Sequence, residues 1–399
     1  MDLLGKFLEI LLYIVGVFLF LNCLYLLFFS LAGLKKIKPL EIAVKNYRKF
    51  CVLIPVYKED QVILETTSAA LKHQYKGAFD VFVIADGLQE QTLKKLKEIG
   101  AGVIEVSFER STKGKALSAA MSALPEDKYD LAMVLDVDNI MDENVLDQVN
   151  AAFESGYSVV QTHRTAKNIN TPFSFLDACN EEINNHIYRK GPFTIGLSSA
   201  LIGSGMAFQF NYLKKLLTGI GDTTGEDKEL DFRIAKDKTK IAYLHHTLVF
   251  DEKTDNTKGF TRQRSRWLLS QLTVLKKYSP EFFVQLKNGN IEFINKLIQA
   301  WLVPRMLLIA LVAFFLLVSF VIPYGPSIII WVILSAILFF SLAIALPWKF
   351  YKNRMFAKAL WQLPYALFCM IIALFKMNKA KGSFMPTSHK VIISSKINN

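Results

Sequence analysis

The chain has 399 residues, of which 52% are hydrophobic, and it carries a formal net charge of +12. This composition is too apolar for one ordinary soluble domain, and the long uncharged stretches lie near the two ends of the sequence. The basic residues are scattered rather than gathered on one helix or strand, which argues against nucleic-acid binding and fits a protein lying against an anionic bilayer.

The first apolar stretch predicts a membrane anchor. Uncharged residues run without interruption from Ile10 to Phe29, which is long enough to span a bilayer as a helix. The stretch is longer than the apolar core of a signal peptide, and no small-residue cleavage site follows it, so we expect an uncleaved anchor over residues 1–33. Three lysines follow within residues 35–38, and the positive-inside rule therefore places the following chain in the cytoplasm. The predicted location is the plasma (inner) membrane.

Residues 34–267 show strand patterns that alternate with helix patterns. This alternation is typical of an α/β domain with a Rossmann-like, mostly parallel sheet. A later strand carries His245 and His246, which lack the spacing of metal ligands and are expected to be structural. The other predicted strands cover residues 50–56, 79–85, 103–106, 131–135 and 157–161, and predicted helices cover residues 89–99, 143–154, 173–190 and 226–237.

Acidic side chains follow several of these strands at their carboxyl ends, where open α/β sheets bind ligands. Tyr57 and Glu59 follow the first strand, and Asp86 follows the second. Asp136 and Asp138 follow the strand that begins at residue 131, and their spacing sends both side chains to the same side. Such a pair suits a hard divalent cation holding a diphosphate, although a strand-end turn with solvated acids explains it equally well. The glycine-rich motifs of dinucleotide-binding and P-loop proteins do not follow the first strand.

Two further segments are candidates for ligand contact. Gly203, Ser204 and Gly205 form a tight glycine-bearing segment, as expected where backbone approaches a ligand. Glu226 and Asp227 open a charged helix, and their simplest interpretation is that of acids at the positive end of the helix dipole.

The segment from Gln263 to Trp267 combines polar, basic and aromatic side chains. On a helix Gln263, Arg266 and Trp267 share one face. An amide, a guanidinium and an indole together could hold a phosphate and a sugar ring. A basic amphipathic helix resting on lipid headgroups is the alternative interpretation.

The C-terminal third predicts further membrane contact. We expect interfacial amphipathic helices over residues 268–303, a transmembrane hairpin over residues 304–348, and a membrane-associated segment with a cytoplasmic tail over residues 349–399. Within the last segment, Ala359 to Phe375 is expected to dip into or lie on the membrane rather than cross it. The four cysteines are far apart in sequence and are expected to be reduced, structural thiols.

Together these motifs resemble the membrane-integrated family-2 glycosyltransferases, the group that holds cellulose, chitin and hyaluronan synthases and ceramide glucosyltransferase. The resemblance covers about Phe50 to Trp267 and implies a GT-A fold. It implies Asp227 as the catalytic base and Asp138, helped by Asp136, as the metal-binding residues. The donor-binding residues that it implies are Pro55, Tyr57, Glu59, Asp86, Lys115, Asp136, Gln263 and Arg266, and the acceptor-binding residues are Trp267, Gly203, Ser204, Gly205 and Glu226.

Two segments depart from the family pattern. Gly225 stands before Glu226 and Asp227 where the synthases usually carry Thr. Residues 384–389, with the sequence FMPTSH, resemble a gating loop but place Pro and His where the pattern has Val and Lys.

The function implied is inverting transfer of a sugar from a nucleotide sugar, expected to be a UDP-sugar, onto a growing polysaccharide in a processive manner. One alternative is the transfer of a single sugar to a lipid acceptor. A second is an inactive glycosyltransferase-like subunit of a secretion complex, which would be marked by degenerate acids. A transporter is disfavoured because the apolar run from Met306 to Trp348 contains no charged residue.

Overall fold

The computed structural model describes residues 3–377 except 41, 224, 255, 256 and 323. Within these residues an eight-stranded sheet has the order β3-β2-β1-β4-β7-β6-β8-β5. The strands are β1 (Phe50–Tyr57), β2 (Phe79–Asp86), β3 (Gly102–Val106), β4 (Leu131–Val134), β5 (Ile140–Met141), β6 (Val159–Ala166), β7 (Met206–Gln209) and β8 (Ile241–Asp251).

Helices flank the sheet, and further apolar helices lie near the two ends of the chain. Those up to residue 236 are α1 (Leu3–Ala32), α2 (Asp60–Leu71), α3 (Glu90–Glu98), α4 (Lys113–Ala123), α5 (Val145–Glu154), α6 (Pro172–Asn184), α7 (Gly191–Thr194), α8 (Phe210–Leu217) and α9 (Glu226–Lys236). The later ones are α10 (Thr257–Tyr278), α11 (Phe282–Lys287), α12 (Ile291–Trp301), α13 (Arg305–Val318), α14 (Ile328–Ala345), α15 (Trp348–Tyr351) and α16 (Met355–Lys376).

The sheet is mixed but mostly parallel, which confirms the predicted Rossmann-like fold class. Strands β3, β2, β1 and β4 pair in parallel, and β6 pairs in parallel with β8. Strand β7 is antiparallel to both β4 and β6, so it joins the two parallel parts without changing their direction. The carboxyl ends of β1, β2, β4, β6 and β8 therefore meet at one edge of the sheet.

The apolar strands are buried on both faces, as the uninterrupted hydrophobic runs predict. Along β1, Phe50, Val52 and Ile54 pack into one core with α2, α3 and α5, whereas Cys51 and Leu53 pack into a second core with α4, α8 and α9. This alternation follows from the two-residue period of a strand. The packing of the strands between these two cores therefore fixes which side chains lie at the carboxyl edge of the sheet.

Several predicted elements differ in detail from the structure. The helix expected over residues 173–190 is divided into α6 and a π-helical segment at Asn185–Lys190. Strand β7 and helix α8 had no prediction, and the predicted domain boundary at residue 267 falls inside α10. The four cysteines are free and buried, as expected.

A second group of helices, called here the membrane region because several of its members are long and apolar enough to span a bilayer, forms its own apolar core. Leu19, Cys23 and Leu26 of α1 pack against α13 and α14, where Leu308 and Trp331 are buried. By length and composition, α1, α14 and α16 could each cross a membrane, and α12 with α13, bent by 55°, could form a broken span or a re-entrant loop among the described residues.

Helix α1 also ties the membrane helices to the α/β domain. Asn22 accepts a hydrogen bond from the Val303 backbone N–H (2.8 Å) at the break between α12 and α13. Further along α1, towards its C-terminal end, the Ser30 hydroxyl donates to the Ser341 carbonyl (2.8 Å), while His186 of the π-helical segment contacts the Ser30 carbonyl (2.8 Å). The N–H freed by the helix break is therefore satisfied inside the apolar region, as burial there requires.

Helix α16 packs along the α/β domain rather than standing apart from it. Its Ala366 and Cys369 contact Phe173 and Phe260, and the Ser265 hydroxyl of α10 donates to the Ala373 carbonyl (3.0 Å). This packing is consistent with a helix lying at the membrane surface, and whether it crosses remains a prediction. The segment FMPTSH lies outside the described residues.

Candidate active site

A cleft of about 610 Å³ runs from the carboxyl edge of the sheet to the helices of the membrane region. Its outer part is lined by Pro55, Tyr57 and Glu59, which follow β1, and by Asp86 at the end of β2. Tyr57 and Asp86 are register partners in the parallel pair, so the two strand ends deliver them side by side. The structure thus brings the predicted donor-binding residues of the first two strands into one wall.

Asp136 and Asp138 lie in the turn after β4, and both line the cleft. Asp138 is buried, and its carboxylate accepts hydrogen bonds from the Glu252 backbone N–H (2.8 Å) and from the Asn139 amide (3.3 Å). The Asn139 amide also donates to Asp251 (3.3 Å) at the end of β8. The second aspartate of the pair is thereby held rigidly against the end of β8.

Two buried cations neutralise Asp136. The Lys113 ammonium donates to the Asp136 carboxylate and to the Gly203 carbonyl (2.6 Å), and lies 3.6 Å from Glu226. Burial opposes the charge of Lys113, but the neighbouring Asp136 and Glu226 outweigh it and raise its pKa. On the other side, Arg164 lies 3.7 Å from Asp136 and donates to Glu181 (2.6 Å).

This part of the cleft fits a hard divalent cation. The donor atoms that Asp136 and Asp138 offer are carboxylate oxygens, the ligands that Mg²⁺ and Mn²⁺ prefer. The Lys113 ammonium already sits among the oxygens of Asp136 and Gly203, so the position attracts positive charge. Among the described residues no group of three or more His, Cys, Asp or Glu side chains is arranged to hold a metal. A metal here would therefore need further ligands, which phosphate oxygens could supply.

Glu226 and Asp227 begin α9 on the opposite wall of the cleft. Gly203 has φ +85°, and a Cβ added there would come within 3.9 Å of the Asp227 carboxyl carbon. Glycine therefore supplies the turn and keeps space open beside this carboxylate. Glu226 is buried, and burial raises its pKa to about 7.

Gly225 is explained by packing against α10. A Cβ at this position would overlap the hydroxyl of Ser270, so the threonine of the synthase pattern would not fit here. The acidic pair keeps its place because Gly225 allows α9 to begin directly against α10.

Helix α10 brings Gln263, Arg266 and Trp267 to the cleft wall, as their spacing predicts. Burial lowers the pKa of Arg266, and the charges of Glu226 and Asp136 oppose this lowering. The guanidinium of Arg264 lies 4.1 Å from the centre of the Trp267 ring and donates to Asp177. The indole therefore packs against a guanidinium that a buried ion pair between α10 and α6 holds in place.

Three residues implied by the resemblance lie away from the cleft lining. Lys115 forms an ion pair with Asp222 and does not line the cleft. Lys113, two residues earlier on α4, lines the cleft instead. Ser204 is fully buried, and Gly205 donates to the Val134 carbonyl (2.9 Å) in the sheet, so only Gly203 of that segment faces the cleft. The roles of Lys115, Ser204 and Gly205 remain predictions, and the geometry does not favour them.

From the sequence, both Lys113 and Lys115 could neutralise phosphates, and the resemblance selects Lys115. Neither Arg164 nor Asp251 was identified as a site residue. Asp251 ends an apolar strand in the same way as Asp86, so the same signal could have identified it. Arg164 lies on β6 with its guanidinium 3.7 Å from Asp251, and only the order of strands in the sheet brings it to the acids.

Comparison with known proteins agrees with this geometry. The model of a family described as "glycosyltransferase like family 2" matches residues 48–270, more than half of the chain. The probable glycosyltransferase YdaM of Bacillus subtilis (strain 168) is 24% identical over 264 residues, which are 63% of this chain and 61% of that protein. The chain thus spans about three fifths of the length of this curated relative.

Solved structures show the same fold. The mannosyltransferase PcManGT from Pyrobaculum calidifontis, in complex with GDP-Man and Mn²⁺, superposes with a TM-score of 0.51 at 15% identity, covering 93% of this chain and 99% of that chain. The Mycobacterium tuberculosis glucosyl-3-phosphoglycerate synthase, crystallised with Mn²⁺ and UDP-glucose, gives a TM-score of 0.40 at 17% identity, covering 61% and 84% of the two chains. The first of these likenesses shows a GT-A-like fold.

Proposed function

Because the chain belongs to glycosyltransferase family 2, we propose that it transfers a sugar from a nucleotide sugar, with inversion, to an acceptor presented at the membrane. One observation carries the proposal. A single cleft collects the aspartates after β4, the acids at the start of α9, and the Gln263, Arg266 and Trp267 face of α10. These three segments are far apart in sequence and supply the groups that glycosyl transfer needs.

In this proposal Asp136 and Asp138 are the residues that would hold Mg²⁺ or Mn²⁺ when the donor binds. When bound, the metal supplies positive charge that stabilises the departing nucleotide. Lys113 then moves its ammonium from Asp136 towards the phosphate oxygens, and Arg266 adds a second cation. Fixed cations in a partly buried cleft stabilise developing negative charge more strongly than water does.

Asp227 acts as the general base. Its carboxylate accepts the proton of the acceptor hydroxyl as that oxygen bonds to the anomeric carbon and the bond from this carbon to the diphosphate breaks. Attack from the face opposite the leaving diphosphate inverts the configuration. Trp267 offers an aromatic face on which an acceptor can rest so that its hydroxyl meets the reacting carbon.

For the acceptor, we favour a membrane lipid because the inner end of the cleft is lined by Leu302, Val303, Pro304 and Met306 at the start of a membrane helix. A growing polysaccharide is the second candidate, since Gln-x-x-Arg-Trp is the pattern of the processive synthases. Product mass spectrometry separates the two: a lipid acceptor gives one sugar per lipid throughout, whereas a processive enzyme gives a ladder that Trp267→Ala should shorten.

Release of nucleotide by the purified full chain tests the proposed reaction. With Mn²⁺ and a panel of UDP- and GDP-sugars, we expect one donor to be turned over, EDTA to abolish this, and Asp138→Ala to lower the rate by about 10²-fold or more. The matched control is Asp127→Ala, an exposed aspartate far from the cleft lining. Folded protein that binds nucleotide but turns over no donor would instead favour the inactive subunit of a secretion complex.

We further propose that the α/β domain lies in the cytoplasm and that α1 and α14 cross the plasma membrane. The ends of α1 and α14 that face the α/β domain are followed by basic residues at 35–38 and 349–358. The positive-inside rule assigns such flanks to the cytoplasmic side, where nucleotide sugars are found.

A further inference from the structure

The inner end of the cleft contains cations that, among the described residues, form no ion pair with a carboxylate. Arg189, Lys228 and Arg305 all line it, and Arg189 and Arg305 are only 6% and 7% exposed. Within the described ranges none of the three forms an ion pair with Asp or Glu. Their hydrogen bonds go to neutral oxygens: Arg189 to Asn185 (3.1 Å), Lys228 to the Trp267 carbonyl (3.4 Å) and Arg305 to the Asn180 carbonyl (2.8 Å).

Several donor atoms in this region are also unused. Arg189 Nε and Arg305 Nη1 are buried without a hydrogen-bond acceptor in the part of the chain that the structure describes. A buried donor that is left unsatisfied destabilises the fold, so such groups call for an explanation. Two arginines in this state on one cleft indicate a missing acceptor.

Other cations that line the same cleft are paired with carboxylates. Lys296 pairs with Asp231 (3.1 Å), Lys253 with Asp251 (2.5 Å) and Arg264 with Asp177. Burial is therefore normally compensated by a carboxylate in this protein, as the cost of an isolated buried charge requires. Burial lowers the pKa of Arg189 to about 10, although the more distant charges of Asp231 and Asp227 oppose this lowering, so its guanidinium stays charged at neutral pH without an ion pair.

The backbone around these cations is irregular in two places. Arg189 lies in the π-helical segment that follows α6, and segments of this kind occur frequently at functional sites. Arg305 is the first residue of α13, which has 14 residues and no side-chain cap, so its first N–H groups and helix dipole face the cleft end that Pro304 and Met306 line. The N-terminus of a helix favours negative charge.

We propose that this inner site binds the phosphate group of a membrane lipid, and that this lipid is the acceptor. Arg189, Arg305, Lys228 and the start of α13 supply the donors and the positive charge. The apolar residues Leu302, Val303 and Met370 beside them match a ligand whose phosphate carries a hydrocarbon chain. The identification of the lipid as acceptor rests on the proposed function, whereas binding of the lipid phosphate does not.

Binding of decyl phosphate to the detergent-purified full chain tests the inference. We expect it to raise the melting temperature of the wild type by several degrees, because a ligand that binds only the folded state stabilises it. Decanol, with the same chain and no phosphate, should give a much smaller shift. Inorganic phosphate separates the two sources of the anion: a shift as large as that of decyl phosphate would overturn the lipid assignment.

Substitutions locate the binding. Arg189→Gln and Arg305→Gln should each weaken decyl phosphate binding by about tenfold or more, whereas Arg189→Lys should retain part of it. The matched control is Arg354→Gln, an exposed arginine near the membrane that should leave binding unchanged. Wild-type affinity in both glutamine variants would overturn the site, and if these variants do not fold, an equal response of the wild type to decanol and decyl phosphate would overturn it.

Donor turnover distinguishes this inference from the proposed function. If the wild type releases nucleotide but decyl phosphate does not bind, only the lipid-phosphate site is wrong. If decyl phosphate binds and no donor is turned over, the site stands and the proposed reaction is wrong.

Discussion

At the scale of single residues, the proposed general base Asp227 lines the cleft beside the backbone of Gly203. Asp227→Asn keeps the shape of the side chain and removes its ability to take a proton. We expect UDP to bind with near-normal affinity while turnover falls by about 10²-fold or more. Isothermal titration with UDP and a nucleotide-release assay measure the two quantities. Loss of UDP binding together with a high residual rate would show that Asp227 has a structural role.

Glu226 gives the fold a dependence on pH. Burial raises its pKa to about 7 in the folded protein, compared with 4.5 for a solvated glutamate. A raised carboxyl pKa means that the folded state prefers the protonated form, so this contribution to stability is full below pH 4.5 and is lost as pH rises through 7. Wild type should therefore lose more stability than Glu226→Gln between pH 5 and pH 8, by roughly 1–3 kcal/mol.

Thermal unfolding of the two proteins in the same detergent checks this expectation. The difference in melting temperature between pH 5 and pH 8 should be a few degrees larger for wild type than for Glu226→Gln. Equal differences would mean that the Glu226 carboxylate is compensated by Lys113 at all pH values.

The residues that the sequence could and could not identify differ in how far they depend on tertiary structure. Asp86, Asp136 and Asp138 end apolar strands, and the parallel sheet alone predicts their common edge. The choice between Lys113 and Lys115 could not be predicted, because two residues on α4 point to different sides of a helix and the pattern does not say which side faces the cleft. The place of Arg164 in the site could be predicted only from the order of the strands in the sheet.

At the scale of elements, the start of α9 is set by its contact with α10. Gly225→Thr would restore the Thr-Glu-Asp pattern of the synthases but would overlap Ser270. We expect the variant to be less stable by about 1–3 kcal/mol, as is typical of overpacking. The double variant with Ser270→Gly should recover much of this loss, and thermal unfolding measures both. A fully stable Gly225→Thr protein would mean that α9 can shift without cost.

The π-helical segment Asn185–Lys190 could not be predicted from the sequence pattern. The pattern of residues 173–190 is amphipathic throughout, so periodicity predicts one helix and cannot show a local change of hydrogen bonding. The segment is held by tertiary contacts, including those of Asn185 with the Arg164 carbonyl (2.8 Å) and of His186 with α1. Such contacts are not visible in a local pattern.

At the scale of the whole molecule, the two ends of α1 contact different parts of the protein. Its N-terminal half lies beside the turn between α13 and α14, where a Cβ on Gly325 would press against Leu12. Its C-terminal end contacts the α/β domain, with the Thr194 hydroxyl donating to the Ala32 carbonyl (2.8 Å). The turn and the α/β domain therefore lie at opposite ends of α1.

Cysteine labelling of intact cells tests the orientation. A membrane-impermeant maleimide should label Ser327→Cys, which is exposed in the turn, and should not label Lys94→Cys until the cells are permeabilised. The four native cysteines are buried, so background labelling should be low. Labelling of Lys94→Cys in intact cells would place the α/β domain outside and contradict transfer from cytoplasmic donors.

The hydrogen bond from Val303 to Asn22 has a consequence for how this enzyme can be re-engineered. The backbone that Asn22 holds belongs to the inner end of the cleft, so the first helix of the chain is part of the substrate chamber as well as its attachment to the bilayer. Replacing α1 with a foreign single-span anchor, or removing α1 to obtain a soluble protein, would preserve the strands and the acidic residues. Neither change would preserve the shape of that chamber. We therefore expect that exchanging the first helix between relatives of this protein would change which substrate is selected as well as where the protein is located in the cell.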